Sequence, residues 1–178
     1  EEFHLIHGPP GTGKTTTVVE VIRQEIAAGN AVLATAASNT AVDTILEFLL
    51  EQGVDAVRVG HPARVTQQLR EHTLDAVLED NETYQQSQEV REQAFEVLEE
   101  QDELTAPSGR YRRGMSDEHI RRLAERGEGS RGVPAEKVEE MAEWLELQDE
   151  ADELFAESDR LEDEAIAEVL AEAEVVCT

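Results

Sequence analysis

The chain has 178 residues, 39% of them apolar, which is enough for one buried core and an insertion. Its 41 acidic residues against 15 lysines and arginines give a net charge of −26, which repels nucleic acid at long range and favours solubility. The sequence contains no apolar run of about 18 residues and only one cysteine, which excludes a membrane-spanning helix and an intrachain disulfide and predicts a cytoplasmic, reducing environment.

The first part of the chain alternates between two kinds of apolar pattern. Short apolar runs predict strands, and apolar residues three or four apart predict helices. The strands are predicted over residues 3–7, 31–36 and 54–59, and the helices over residues 15–28 and 38–52, the second capped by Ser38. This alternation predicts βαβ units and a parallel sheet.

The remainder is predicted to be helical until the end of the chain. Helical patterns cover residues 65–78, 82–105, 116–127 and 134–173, and a last strand is predicted over residues 174–178. Glycines mark a turn at residues 127–132, so the helices on either side should fold back as a hairpin.

One motif points to chemistry. Gly8, Gly13, Lys14 and Thr15 occupy the fixed positions of the phosphate-binding pattern G-x-x-x-x-G-K-[ST], between a predicted strand and a predicted helix. Backbone amides and Lys14 would hold the phosphates of ATP, and the Thr15 hydroxyl would bind Mg²⁺. We expect catalytic roles for Lys14 and Thr15, and nucleotide contacts from Gly8, Pro9, Pro10, Gly11, Thr12, Gly13, Lys14, Thr15 and Thr16.

The segments around this motif suggest a family. Residues 8–20 and 34–43 resemble motifs I and Ia of superfamily 1 helicases. Residues 58–64 and 68–78 look like the branch that contains the nonsense-mediated-decay and immunoglobulin mu-binding helicases. The resemblance implies ATP-driven movement, 5′ to 3′, along single-stranded DNA or RNA by two RecA-like domains, the first of which carries an inserted helical subdomain.

The resemblance therefore implies an α/β fold, a P-loop NTPase (RecA-like) parallel sheet with a large all-helical insertion. Residues 1–64 would begin the ATP-binding domain, residues 65–173 would be the helical insertion, and residues 174–178 would be the returning strand. Both ends look cut, and the C-terminal RecA-like domain, the acidic Mg²⁺-binding motif and the arginine finger are expected beyond residue 178. We expect this chain alone to hydrolyse ATP poorly or not at all, because those groups stabilise the transition state.

Two groups of residues are candidates for nucleic-acid contact. The resemblance implies that Ser38, Asn39 and Thr40 touch the backbone of the nucleic acid, although the family commonly has proline where this chain has Ala37. Alternatively, Ser38 or Asn39 only caps its own helix.

The second group is basic. Residues 110–131 contain seven arginines and four acids, a net charge of +3 that leaves −29 for the rest of the chain. Arg110, Arg112 and Arg113 flank a tyrosine, a combination that suits phosphate contact and base stacking. The alternative is that these arginines pair with the acidic helix that follows.

Other interpretations concern habitat and class. The excess of acidic residues and the presence of only two lysines suggest a salt-rich cytoplasm. The alternative is an acidic helical insertion in an otherwise ordinary protein, and both explanations can hold together. Asp163 and Glu164 spell part of a helicase-like motif, but their helical context predicts a helix surface. The functional alternatives are an AAA-type ATPase that remodels proteins and an acidic helical scaffold that binds basic partners.

Overall fold

A parallel sheet of three short strands organises the first part of the fold. The computed structural model describes residues 3–60 and 65–178. Residues 61–64 of the helicase-like segment lie outside the described residues, and so does the domain boundary predicted after residue 64. The strands are β1 (Val32–Ala34), β2 (Ala56–Arg58) and β3 (Val175–Cys177). β3 lies between β1 and β2 and runs parallel to both. The parallel sheet and three of the four predicted strands are confirmed.

Two helices cover one face of this sheet. They are α1 (Lys14–Ala27) and α2 (Asn39–Glu51), close to the predicted ranges. Their inward side chains form one apolar core with the sheet, which includes Val19, Ile22, Val42, Leu46, Leu49, Val175 and Cys177. Burial in this core raises the pKa of the Cys177 thiol to about 11, so the thiol stays protonated at neutral pH.

The other face is covered by α3 (Leu74–Glu79) and by the last turns of α7 (Ala135–Glu172). The side chains that meet there include Val57, Leu78, Ala165, Val169 and Ala173. The short apolar runs in the sequence are typical of parallel strands with covered faces, although Leu33 of β1 is 65% exposed and Arg58 ends β2. A 3₁₀ helix (Gln67–His72) precedes α3, so the helix predicted over residues 65–78 is interrupted at Thr73, whose side chain caps α3.

The strand predicted over residues 3–7 is wrong. These residues form no strand, and Phe3 and Leu5 expose 88% and 81% of their surface. A strand requires a neighbour to satisfy its backbone groups, and no strand of the described residues pairs with this segment. The segment has the apolar content of a strand, but pairing depends on a partner that the local sequence does not identify.

The chain divides into two compact units. The first comprises Glu1–Tyr84 and Glu164–Thr178, and the second Gln85–Asp163. Most of the second unit belongs to α4 (Glu82–Asp102), α5 (Gly109–Arg112), α6 (Asp117–Glu125) and α7. The helices predicted over residues 82–105, 116–127 and 134–173 are confirmed, whereas the four-residue α5 was not anticipated because it is too short to show an apolar period. No helix in the described ranges is long and apolar enough to cross a membrane.

Within the second unit, α4 and α7 run antiparallel. The Arg91 guanidinium donates to the Ser158 hydroxyl at 3.1 Å, and the Gln101 amide donates to the Trp144 carbonyl at 3.1 Å. The residue nearer the N-terminus of α4 thus contacts the residue nearer the C-terminus of α7, which is the pattern of antiparallel helices. These polar contacts satisfy groups that would be costly to bury unpaired.

The predicted helical hairpin is formed by α6 and α7. Ile120 packs against Val138 and Met141 in an apolar core, and all three are fully buried. The chain reverses between the helices at a short bridge between Ser130 and Val133.

We predict that Gly129→Ala destabilises this hairpin. An added Cβ would lie 2.4 Å from the Val133 carbonyl oxygen and 3.1 Å from the Ala135 nitrogen, and backbone atoms cannot move aside cheaply. The expected loss is about 1–3 kcal/mol in the free energy of unfolding, measured by urea denaturation. Gly109→Ala is the matched control, because its Cβ would meet no atom within 4 Å. Equal unfolding midpoints for the two variants would contradict the tight turn.

Candidate phosphate-binding loop and nucleic-acid surfaces

The loop before α1 requires glycine at three positions. Gly11 and Gly13 have φ angles of 79° and 83°, a left-handed conformation that costs other residues energy. Gly8 has a different reason, because a Cβ there would lie 2.6 Å from the Thr12 hydroxyl oxygen. Thr12 in turn donates to the Pro9 carbonyl at 2.8 Å. The glycines of the motif thus let the loop close tightly on itself.

Backbone amides at the start of α1 are available to an anion. Within the described part of the chain, no amide of residues 11–16 donates a hydrogen bond to a protein acceptor. The first helical amide with a partner is that of Thr17, which donates to the Gly13 carbonyl at 3.0 Å. The first turn of α1 also carries no acidic residue that would compete for the positive end of the helix dipole. This arrangement fits the phosphate groups of a nucleotide.

Lys14 lies across the same loop. Its ammonium group donates to the Pro9 carbonyl oxygen at 2.7 Å, the acceptor that Thr12 also uses. A phosphate oxygen would offer this ammonium a charged acceptor in place of a neutral carbonyl, and charge-assisted hydrogen bonds are roughly twice as strong. The lysine is therefore held close to the loop by a contact that an anionic ligand can replace.

The threonines after Lys14 differ in their contacts. The Thr17 hydroxyl donates to the Gly13 carbonyl at 3.1 Å, whereas the Thr15 hydroxyl has no partner among the described residues. A free hydroxyl oxygen is a suitable ligand for Mg²⁺. However, the described residues contain no group of three or more metal-ligating side chains, so Thr15 fits this ion only together with phosphate oxygens and other ligands. Asp163 and Glu164 are exposed in α7, on the helix surface that was predicted for them.

The start of α2 combines a helix cap with exposed polar groups. The Ser38 side chain caps α2 by accepting from the Ala41 amide at 3.3 Å, which is the alternative considered for this residue. Asn39 and Thr40 are exposed at the first two positions of the helix. The Asn39 carboxamide oxygen accepts from the Arg58 guanidinium at 2.9 Å. The predicted contact of residues 38–40 with nucleic acid stays a prediction.

Arg58 is the residue near this surface that sequence reasoning missed. It ends β2, is almost fully buried and pairs with the buried Asp43 of α2 at 3.3 Å. Its signal in the sequence was a charged residue between two valines in the second half of the strand predicted over residues 54–59. Such a residue must find a buried partner, because an unpaired buried charge is very costly.

The arginines of residues 110–131 are used in two ways. Arg121 pairs with Asp149 of α7 at 2.5 Å, and Arg112 pairs with Asp117. The Asp149 hydrogen bond raises the pKa of Arg121 further above its already high value. The alternative, pairing with the acidic helix that follows, therefore holds for Arg121, whereas Arg112 pairs with Asp117 of α6 instead.

Arg113 and Arg131 make a reciprocal contact instead. Each guanidinium donates to the backbone carbonyl of the other residue at 2.6 Å, and both residues have positive φ angles. Neither forms an ion pair in the described ranges. Arg110 is exposed, with its guanidinium 5.4 Å from the centre of the Tyr111 ring. Among the residues that the structure describes, these three arginines form a cationic surface without neutralising carboxylates.

Comparison with known proteins gives a family match over the whole chain. Residues 1–178 match a family described as an AAA domain. An uncharacterised ATP-dependent helicase of Methanocaldococcus jannaschii is 44% identical over 178 residues, which cover 98% of this chain and 27% of the relative.

Two other relatives match shorter segments. The DNA-binding protein SMUBP-2 of Rattus norvegicus is 45% identical over 98 residues, or 55% of this chain and 10% of that protein. The DNA polymerase alpha-associated DNA helicase A of Schizosaccharomyces pombe is 48% identical over 77 residues, or 43% of this chain and 12% of that protein. The chain thus spans about a quarter or less of the length of these relatives.

Proposed function

Because the chain belongs to this AAA domain family, we propose that it is the ATP-binding part of an ATP-dependent helicase that moves along single-stranded nucleic acid. The observation that carries the proposal is the glycine loop, whose unbonded amides and Lys14 stand at the start of α1. Relatives named as helicases support the reaction, and the printed names of two relatives favour DNA over RNA.

The proposed architecture is the first RecA-like domain of a superfamily 1 helicase of the 5′-to-3′ type, in the mu-binding and decay-helicase branch. Residues 1–64 and 174–178 would belong to the ATP-binding domain, and residues 65–173 would be the inserted helical subdomain. Two observations support this division. β2 and β3 are neighbours in the sheet, and every described helix from α3 to α7 lies between them in the chain. A second RecA-like domain would be part of the longer protein.

The loop would bind ATP as its substrate. Amides of residues 11–16 would hold the phosphates, and Lys14 would exchange the Pro9 carbonyl for β- and γ-phosphate oxygens. Gly8, Pro9, Pro10, Gly11, Thr12 and Gly13 would form the wall of the site. Thr15, with its free hydroxyl, would hold Mg²⁺, an ion that neutralises charge developing on the phosphates, and Thr16 would follow it in the first turn.

Nucleic acid would be contacted at two surfaces. Ser38, Asn39 and Thr40 offer short polar groups at the N-terminus of α2, which suit phosphate oxygens. Arg110 and Arg113 offer guanidinium groups that no carboxylate of the described residues neutralises, whereas Arg112 is already engaged with Asp117. The net charge of −26 with two lysines supports work in a salt-rich cytoplasm, where a short Debye length weakens the general repulsion of the strand.

Two alternatives have less support. A protein-remodelling ATPase would use the same loop, and the matched family shares its AAA description, but the relatives named above are helicases and a DNA-binding protein. An acidic scaffold for basic partners would use the many carboxylates of α7, yet it gives no reason for the glycine loop.

We predict that Lys14→Ala abolishes ATP hydrolysis stimulated by single-stranded DNA in the full-length protein. Removal of a charged hydrogen bond to phosphate should weaken ATP binding by about 10- to 100-fold, and the loss in turnover should be larger. The matched control is Lys137→Ala, which removes the chain's other lysine, an α7 surface residue 2.6 Å from Glu140. The proposal is wrong if Lys14→Ala retains the turnover of the wild type, or if single strands do not stimulate the wild type.

We predict a separate effect for the cationic surface. Arg110→Ala with Arg113→Ala should weaken binding of a labelled single-stranded oligonucleotide and reduce the dependence of log affinity on log salt by about one for each phosphate that the variant no longer binds. Arg160→Ala is the control, because Arg160 is an exposed α7 residue paired only with Glu157 among the described residues. Circular dichroism would verify that the double variant remains folded. An unchanged salt slope would exclude this surface from the strand path.

A further inference from the structure

Arg58 connects the end of β2 to the first turn of α2. Its Nε donates to the Asp43 carboxylate at 3.3 Å, its Nη2 donates to the Asn39 carboxamide oxygen at 2.9 Å, and its Nη1 donates to the Val59 carbonyl. Arg58 exposes 3% of its surface and Asp43 5%, whereas Asn39 is exposed. One buried cation therefore holds both a buried anion and an exposed amide on the same face of α2, four residues apart.

This contact fixes the orientation of the Asn39 carboxamide. An arginine side chain has only hydrogen-bond donors. It can therefore donate to the Asn39 carboxamide oxygen, whereas it would repel the Asn39 NH₂ group. The NH₂ group must then lie on the side of the carboxamide away from Arg58. It has no acceptor among the described residues. Two N–H donors are thus available at the exposed N-terminus of α2.

The surroundings of Arg58 maintain this geometry. Asp43 balances the buried charge, because a buried cation without a partner would strongly destabilise the fold. Gly60 has a φ angle of 147°, and a Cβ there would lie 2.8 Å from the Arg58 Nη1 atom. Glycine therefore leaves the space that the guanidinium occupies. Asp43 and Gly60 thus both favour the side-chain conformation of Arg58 that reaches Asn39.

We propose that Arg58 is a positioning residue that holds the Asn39 NH₂ group toward a phosphodiester oxygen of the bound strand. The proposal rests on the proposed function, and it adds a buried residue that acts through Asn39 rather than touching nucleic acid. The basic guanidinium does not itself attract the strand, because Asp43 neutralises it and the protein covers it. Its effect is to remove the freedom of the carboxamide to rotate before the strand binds, which lowers the entropy cost of the contact.

The first test is a double-mutant cycle on oligonucleotide affinity in the full-length protein. Arg58→Lys keeps a positive charge beside Asp43. A lysine ammonium lacks the planar guanidinium that donates to Asp43 and Asn39 at the same time. We expect Arg58→Lys and Asn39→Ala each to weaken binding by about threefold to tenfold, the range of one hydrogen bond, and the double variant to be no weaker than Asn39→Ala. Arg23→Lys is the control, since Arg23 is an exposed α1 residue paired with Glu20. Equal losses from Arg58→Lys in the wild-type and Asn39→Ala backgrounds would overturn the proposal.

A second measurement is independent of nucleic acid. The side-chain amide signals of Asn39 in an NMR spectrum of the isotope-labelled chain report its orientation directly. We expect shifted, slowly rotating signals in the wild type that move to the values of a free carboxamide in Arg58→Lys. Unshifted signals in both proteins would overturn the positioning role even if the strand binds. By contrast, shifted signals with no oligonucleotide affinity in the full-length wild type would contradict the proposed function and leave the Arg58–Asn39 contact standing.

Discussion

The pairing of β3 with both β1 and β2 holds together the part of the chain that carries the glycine loop. β1 and β2 are not hydrogen-bonded to each other, and each reaches the sheet only through β3. Val175 and Cys177 of β3 are fully buried in the apolar core that the sheet shares with α1 and α2. Glu174 strengthens this junction, because its carboxylate accepts from the Asp55 amide at 2.9 Å. The glycine loop is therefore anchored through α1 to a strand that comes far later in the sequence.

A second constraint is charge. A chain with a net charge of −26 does not attract anions through its overall field, so the proposed recognition of ATP and nucleic acid has to depend on local groups. The described residues provide such groups in three forms. The glycine loop offers amides and one lysine, the start of α2 offers neutral polar side chains, and the surface of Arg110, Arg113 and Arg131 offers cations without carboxylate partners. Neutral donors lose less of their strength to salt than exposed ion pairs do.

The sequence predicted what depends on local chemistry. The glycine loop, the Ser38 cap, the α6–α7 hairpin and the parallel strands all followed from residues close to one another. The strand at residues 3–7 failed because strand formation needs a neighbour, and apolar content alone does not provide one. The contact of Arg58 with Asn39 could not be predicted either, since the two residues are 19 positions apart and meet only when β2 lies beside α2. The contacts of Arg113 with Arg131 and of Arg121 with Asp149 likewise depend on tertiary placement, because the partners are 18 and 28 positions apart.

The most direct test of this phosphate site is a crystal structure of the chain with Mg²⁺ and a non-hydrolysable ATP analogue. We predict that the triphosphate lies within the loop, that amides of residues 11–16 donate to its oxygens, and that the Lys14 ammonium has left the Pro9 carbonyl for phosphate. A nucleotide bound elsewhere, with Lys14 still 2.7 Å from the Pro9 carbonyl oxygen, would contradict the central claim that this loop holds the triphosphate.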